Sequence, residues 1–413
     1  MRTAMLCLAT IGLAQQAYAQ SEVLRTGKLP NGLTYYIYND GSTPGEAQFY
    51  LYQNVGAVNE ADNQTGLAHA LEHLAFNATD NFPGGVMAFL KANGLTDFEA
   101  FTGVDDTRYA VVSDKEPRDG FFLFHIYQDP QSGEISSVSL EGFKGNPHPA
   151  TDGDGNSLRD CEGIAYRPSS KTLFISGEGD QKVLEYDMNG VPTGKQLDIP
   201  AIFSASKIVT NGGFEALTYN PKTHKFWTTT ENTLRADGAT ASPNHPGTVN
   251  RLRLQSFNDD LQAGAQYAYK MDAGRQQGFG RYYAMGVPAL CALDDGRLIV
   301  MERELNIPKA YVGGEAIIKL YLVNPVQVLP ISEQQNMEKL PETYFLPKRL
   351  LLTFKTRIMP WKLDYANYEG MCLGAKLQDG RQTLLLINDS QASAGEGPYR
   401  LKDYLKVVAI SFD

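Results

Sequence analysis

Apolar residues in this chain fall into short runs separated by turn-forming residues, a pattern of strands rather than long helices. From about residue 129 onward the runs recur. Leu173-Phe174-Ile175-Ser176-Gly177, Phe226-Trp227-Thr228-Thr229-Thr230, Leu298-Ile299-Val300-Met301 and Leu384-Leu385-Leu386-Ile387 each read as a buried strand. A further strand follows each, at Val183-Leu184-Glu185-Tyr186-Asp187 and at residues 249–254, 317–323 and 405–412. Asp-Gly turns such as Asp295-Gly296 and Asp379-Gly380 join them. Repeated short strands without helical periodicity predict an all-β fold of radial sheets, a β-propeller. At ~45 to 50 residues per blade, residues 129–413 hold about six blades. The third strand of the last blade, 405–412, leaves a sheet edge for which two partners are expected, the strand-like run at 135–140 or, failing that, the strand at 47–55.

A second periodicity lies on top of the first. Cys161-Glu162-Gly163-Ile164, Phe214-Glu215-Ala216-Leu217 and Tyr368-Glu369-Gly370-Met371 each place a glutamate before a small residue and an apolar one. Each copy leads to a strand that ends in a second acid: Glu178, Glu231 and Asp389, at spacings of 16, 16 and 20 residues. A fourth copy has Pro288 in place of the glutamate and leads to Glu302, and Glu141-Gly142-Phe143 reads as a degenerate fifth. One such acid would simply cap a strand. Several recurring in inner strands gather carboxylates near one axis, where mutual repulsion is costly unless cations neutralise them. Glu162, Glu215, Glu302, Glu369 and Asp389 are therefore candidate ligands of a divalent cation. Oxygen donors favour calcium.

Residues 20–128 follow another plan, a small α/β segment. Leu29-Pro30-Asn31-Gly32 turns into an apolar strand, residues 47–55 form another, and an amphipathic helix is expected at 86–90. Between them lies His69-Ala70-Leu71-Glu72-His73. On a helix the two imidazoles share one face and would hold one zinc ion, with Glu72 as base for a bound water. A catalytic zinc takes three protein ligands. The nearest downstream acid, Glu141, sits in strand-like sequence.

Composition narrows the partners. The formal net charge of -10 argues against nucleic acid and anionic membrane surfaces. Arg2, the apolar run at 4–14 and Ala17-Tyr18-Ala19 predict a signal peptide over residues 1–19 and a secreted or periplasmic protein, and no later run is long enough to span a bilayer. Setting Cys7 aside leaves Cys161, Cys291 and Cys372, an odd and scattered set that predicts no disulfide framework.

Two resemblances follow from these residues. The His69/Glu72/His73 motif, Asn81-Phe82-Pro83-Gly84, Ala100-Phe101-Thr102 and Asp106-Thr107-Arg108-Tyr109 resemble the N-terminal segment of the pitrilysin/insulinase (M16) metallopeptidases, with Glu99 where that family has asparagine. The resemblance implies a zinc endopeptidase, but the third ligand it requires, a glutamate on a second helix, has no counterpart. Residues 129–413 resemble the phytase-like family, through Glu162-Gly163-Ile164, Asn211-Gly212-Gly213-Phe214-Glu215, Thr230-Glu231-Asn232, Met301-Glu302-Arg303, Tyr368-Glu369-Gly370 and Asn388-Asp389. That resemblance implies a hydrolase of small ester or phosphoester substrates. In such an enzyme Glu178 or Glu231 would act as base, with Arg303 or Lys171 as anion clamp. The alternatives left standing are the zinc peptidase and a propeller that only binds a partner.

Overall fold

The computed structural model describes residues 4–6, 24–38, 47–49, 74, 77–79, 81–92, 108–113, 116–129, 131–153, 155, 157–359, 362–390 and 400–412. The chain divides into two compact units, Met1–Asp105 and Asp106–Asp413. The division lies upstream of residue 129. The expected leader (outside 4–6) and all three of His69, Glu72 and His73 fall outside the described residues.

In the first unit a four-stranded sheet runs in the order Leu24–Lys28, Thr34–Tyr38, Ala4–Leu6, Ala47–Phe49. The Pro-Asn-Gly turn forms as its chemistry dictates: Gly32 takes a φ of +90°, and the Leu33 N–H donates to Asn31 Oδ1 at 3.1 Å. The helix expected at 86–90 is Val86–Ala92, with the Phe89 ring tilted against Phe82 at 4.7 Å between centroids. No helix among the described residues is long and apolar enough to cross a membrane.

The second unit is five antiparallel sheets, each a meander in chain order. Sheet one holds Arg108–Val111, Gly120–Gln128 and Ile135–Gly145. Sheet two holds Cys161–Arg167, Thr172–Gly177, Lys182–Tyr186 and Pro192–Gln196. Sheet three holds Phe214–Asn220, Lys225–Thr230, Val249–Phe257 and Ala263–Ala273. Sheet four holds Tyr282–Ala292, Leu298–Ile307, Glu315–Val323, Lys348–Met359 and Lys362–Asp364. Sheet five holds Asn367–Lys376, Gln382–Asp389 and Leu405–Ile410. The first strands of sheets two to five adjoin one another in series, which is the radial arrangement of a propeller. The hydrophobic cores lie between neighbouring sheets. Phe174 and Phe226 join sheets two and three at 4.5 Å between ring centroids, and Val300, Leu290 and Leu254 fill the space between three and four. Burial of each such side chain stabilises by about 1.5–3 kcal/mol.

Among the described residues there are five blades, against the expected six or so, because the blades take unequal lengths and sheet four consumes far more chain than assumed. Lys348–Met359 alone has 12 residues, and between Val323 and Lys348 the chain makes an excursion through three short 3-10 turns. Arg253, 1% exposed, pins that excursion: its guanidinium donates to Ser332 O (3.1 Å) and Gln335 O (2.6 Å) while Asp237 accepts from Nε at 2.6 Å and Nη2 at 2.8 Å.

Two expectations about strand order fail. Ile135–Gly145 pairs with Gly120–Gln128 and does not complete the final sheet, in which Leu405–Ile410 pairs with Gln382–Asp389. Sheets one and five are instead joined by a side chain, Gln128, which donates to Thr383 Oγ1 at 3.1 Å and accepts from Ala375 N at 2.8 Å. Glu141 does not begin an inner strand either. It lies within Ile135–Gly145, the strand of sheet one farther from Arg108–Val111, and pairs with Lys144 and His125.

Candidate functional site: an acidic axis crossed by one arginine

The glutamate copies seen in the sequence coincide with a backbone irregularity. In sheet three Phe214 pairs with Thr230 and Ala216 with Thr229, so Glu215 is the extra residue of a β-bulge. In sheet five Tyr368 pairs with Asn388 and Gly370 with Ile387, leaving Glu369 as the extra residue. Sheets two and four carry the same one-residue excess, at Glu162-Gly163 and at Val287-Pro288. A bulge leaves one residue out of the ladder and re-aims its side chain. It also explains Pro288, since a bulge is where a strand tolerates proline. The small residue after the glutamate is a packing requirement: a Cβ on Gly163 would lie 2.3 Å from the Glu215 carbonyl oxygen.

The second acids stand close by in three sheets. Glu178 follows Thr172–Gly177 and accepts from Gly213 N at 2.8 Å, and Glu231 follows Lys225–Thr230. Asp389 ends Gln382–Asp389, near enough for its charge to act on Glu162 and Glu369. Sheet four differs. Leu298–Ile307 continues past Glu302, and adjacent strand residues face opposite sides, so the side chain brought to the axis is Arg303. Its Nη2 donates to Glu231 and its Nη1 to Glu369. Glu302, expected as a ligand, belongs to a separate network. It accepts from Tyr269 Oη (2.6 Å), Lys348 Nζ (2.6 Å) and Asp272 N (3.2 Å).

Electrostatics split the axis in two. Arg303 is 5% exposed; burial opposes its charge, but Glu231, Glu369 and Glu215 outweigh burial and hold it protonated. Its Nε has no hydrogen-bond partner among the described residues. Burial first, then Asp389 and Glu231, push Glu369 up to about 7 despite Arg303 beside it. Glu215 is raised well above the ordinary carboxylate range, by burial and then by Glu231. On the other side no cation among the described residues is paired with the acids. Burial, followed by the charges of Glu369, Asp160, Glu178 and Asp389, pushes Glu162 up to about 9, and burial raises Glu178 as well. Here Asp160, Glu162 and Glu178 each present a carboxylate oxygen within 4.8 Å of the others. Three converging carboxylate oxygens, with Glu162 and Glu178 crowded enough to disfavour their ionisation, fit a hard divalent cation.

Asp160 was not among the residues singled out from the sequence. It lies two positions before Glu162 at a φ of +50°, a local conformation that no spacing rule signals. Lys171 is an exposed turn residue with a φ of +53°. A further copy of the glutamate motif does exist in the sequence: Phe98-Glu99-Ala100-Phe101-Thr102 differs from Phe214-Glu215-Ala216-Leu217-Thr218 at one position. An acid, Asp114, follows 15 residues after Glu99; both lie outside the described residues.

Fold and site together define a β-propeller with an acidic axis. The chain matches the phytase-like family, described as having the esterase-like activity of phytase, over residues 93–391, and it belongs to that family. A second model, insulinase (peptidase family M16), matches residues 38–122, so residues 93–122 are matched by both. Curated relatives match the N-terminal part. The chain is similar to a probable zinc protease PqqL of Escherichia coli, 38% identical over 103 residues, and to its namesake in Haemophilus influenzae, 33% identical over 95. These matches cover 24% and 22% of this chain but 11% and 10% of the relatives, so the chain spans about a tenth of the proteins it resembles there. Among solved structures, an endo-arabinase from Bacteroides thetaiotaomicron aligns over 76% of this chain and 99% of its own, at 15% identity and a TM-score of 0.36.

Proposed function

We propose that this protein is an exported hydrolase of esters or phosphoesters that works with one divalent cation, calcium, held by Asp160, Glu162 and Glu178. The observation that carries the reading is the convergence of those three carboxylates beside an arginine-neutralised half of the same axis. Bound there, the cation would supply Lewis-acid polarisation of a carbonyl or phosphoryl oxygen. The chain's own residues do the rest. Glu231, held by Arg303 and by the Asn232 side-chain amide at 2.9 Å, is fixed in place as a proton acceptor, and Glu178 is its counterpart on the cation side. Arg303 stays charged, with its two terminal nitrogens committed to Glu369 and Glu231. An acidic rather than aromatic axis favours this over a propeller that only docks a partner. Export rests on the leader-like first 19 residues. A zinc peptidase would depend on His69, Glu72 and His73.

The test is elemental analysis of the dialysed protein, together with rates on aryl esters, aryl phosphates and phytate with calcium or a chelator. One calcium per chain and calcium-dependent hydrolysis that Glu178→Gln abolishes are expected. Stoichiometric zinc with peptide cleavage and no ester or phosphoester hydrolysis would replace this reading with the peptidase one.

A further inference from the structure

The axis receives side chains from sheets two to five, and three of these deliver carboxylates at the bulge and at the end of the next strand. Sheet four alone breaks both positions, with Pro288 at the bulge and Arg303 reaching the axis from the next strand. The guanidinium reaches one carboxylate of sheet three, Glu231, and one of sheet five, Glu369. Asn367 Oδ1 accepts from the same Nη1 at 3.3 Å and Asn367 Nδ2 donates to Glu369 at 2.8 Å, while Asn232 Nδ2 donates to Glu231 at 2.9 Å, so both partners of the arginine are held in register. These contacts are the ones a second cation would need. The carboxylates of the Asp160, Glu162 and Glu178 group have no such fixed counter-charge among the described residues, although Glu369 and Asp389 are near enough to act on them.

We propose that Arg303 takes the place of a second metal ion: a built-in cation between Glu231 and Glu369 that limits the axis to one divalent ion and confines that ion to Asp160, Glu162 and Glu178. This rests on the cation reading given above for the latter three residues. Arg303 is then a positioning residue with two effects. It keeps Glu231 from becoming a metal ligand, leaving that carboxylate available as a proton acceptor. It also sets the cation beside sheet two instead of at the centre of the ring. An arginine suits the task better than a lysine, because its planar fork spans two carboxylates with separate nitrogens.

The experiment is calcium stoichiometry, by calorimetric titration and by elemental analysis of gel-filtered protein, on the full chain and five variants. Wild type and Glu369→Gln are expected to bind one calcium, Asp160→Asn none, and Arg303→Met two, the second released by Glu231→Gln in the Arg303→Met background. Arg303→Lys is expected to remain at one. If Arg303→Met binds one calcium as wild type does, Arg303 is not a surrogate ion, and the one-cation reading survives. If wild type binds none and Arg303→Met binds one, the surrogate role stands and the Asp160/Glu162/Glu178 reading fails. Should Arg303→Met fail to fold, Glu369→Gln decides: loss of the single calcium would show that the cation uses Glu369 and overturn the proposal.

Discussion

Replacing Glu162 by glutamine should have opposite effects on stability with and without calcium. Glu162 has its pKa pushed up to about 9 by burial and by Glu369, Asp160, Glu178 and Asp389, against about 4.3 for an unperturbed glutamate. A group raised on folding contributes stability that is fully present below the unfolded pKa and is lost as pH rises through the folded one. For Glu162 that window runs from about pH 4.3 to about pH 9. At pH 7 the unfolded carboxylate is ionised and the folded one must take up a proton, at a cost of up to roughly 2.7 pH units of linkage, or about 3.7 kcal/mol. Glutamine keeps the shape and removes that cost. In chelator, Glu162→Gln should therefore raise stability by about 1–3 kcal/mol at pH 7 and by under about 1 kcal/mol at pH 5. With calcium at a thousand times its Kd, wild type gains about 4.1 kcal/mol that the variant forfeits, so the order reverses. Urea unfolding at pH 5, 7 and 8.5, in chelator and in calcium, reads all of this. A variant less stable than wild type by the same amount at every pH, with calcium making no difference, would show that Glu162 is a packing residue and that the argument from charge crowding is mistaken.

Arg253→Ala should cost about 3–5 kcal/mol in urea unfolding, because it strands buried Asp237 and releases the excursion after Val323; a loss under about 1 kcal/mol would mean the excursion is held otherwise. Glu302→Gln should lower the melting temperature yet leave ester and phosphoester hydrolysis within twofold, since its partners Tyr269, Lys348 and Asp272 lie apart from the axis; a tenfold fall in kcat would return Glu302 to the site. Glu72→Gln should leave calcium affinity and ester hydrolysis unchanged, because the cation is assigned to Asp160, Glu162 and Glu178; titration and rate measurements check it, and a loss of either would bring the His69/Glu72/His73 motif back into the function.

What could be read from the chain and what could not divide along physical lines. Strands buried on both faces announce themselves: Thr172–Gly177 and Gln382–Asp389 are apolar runs, and each was legible along with the acid that follows or ends it. Outer strands carry no such signal. Pro192–Gln196 is exposed along most of its length, and most of Ile135–Gly145 is exposed, so neither could be assigned to its sheet from alternation. The blade count suffered accordingly. The site was legible where the motif is local, since a bulge needs its glutamate and its small residue side by side, as in Glu162-Gly163 and Glu369-Gly370. It was illegible where one position decides the face. Glu302 and Arg303 are neighbours on a strand buried nearly throughout, and in a run with polar residues on both faces no pattern says which of the two looks toward the axis. The choice has chemical weight, because the same backbone shifted by one residue would have delivered a further carboxylate to a crowded axis, whereas the register the chain adopts delivers the cation that makes the crowding tolerable.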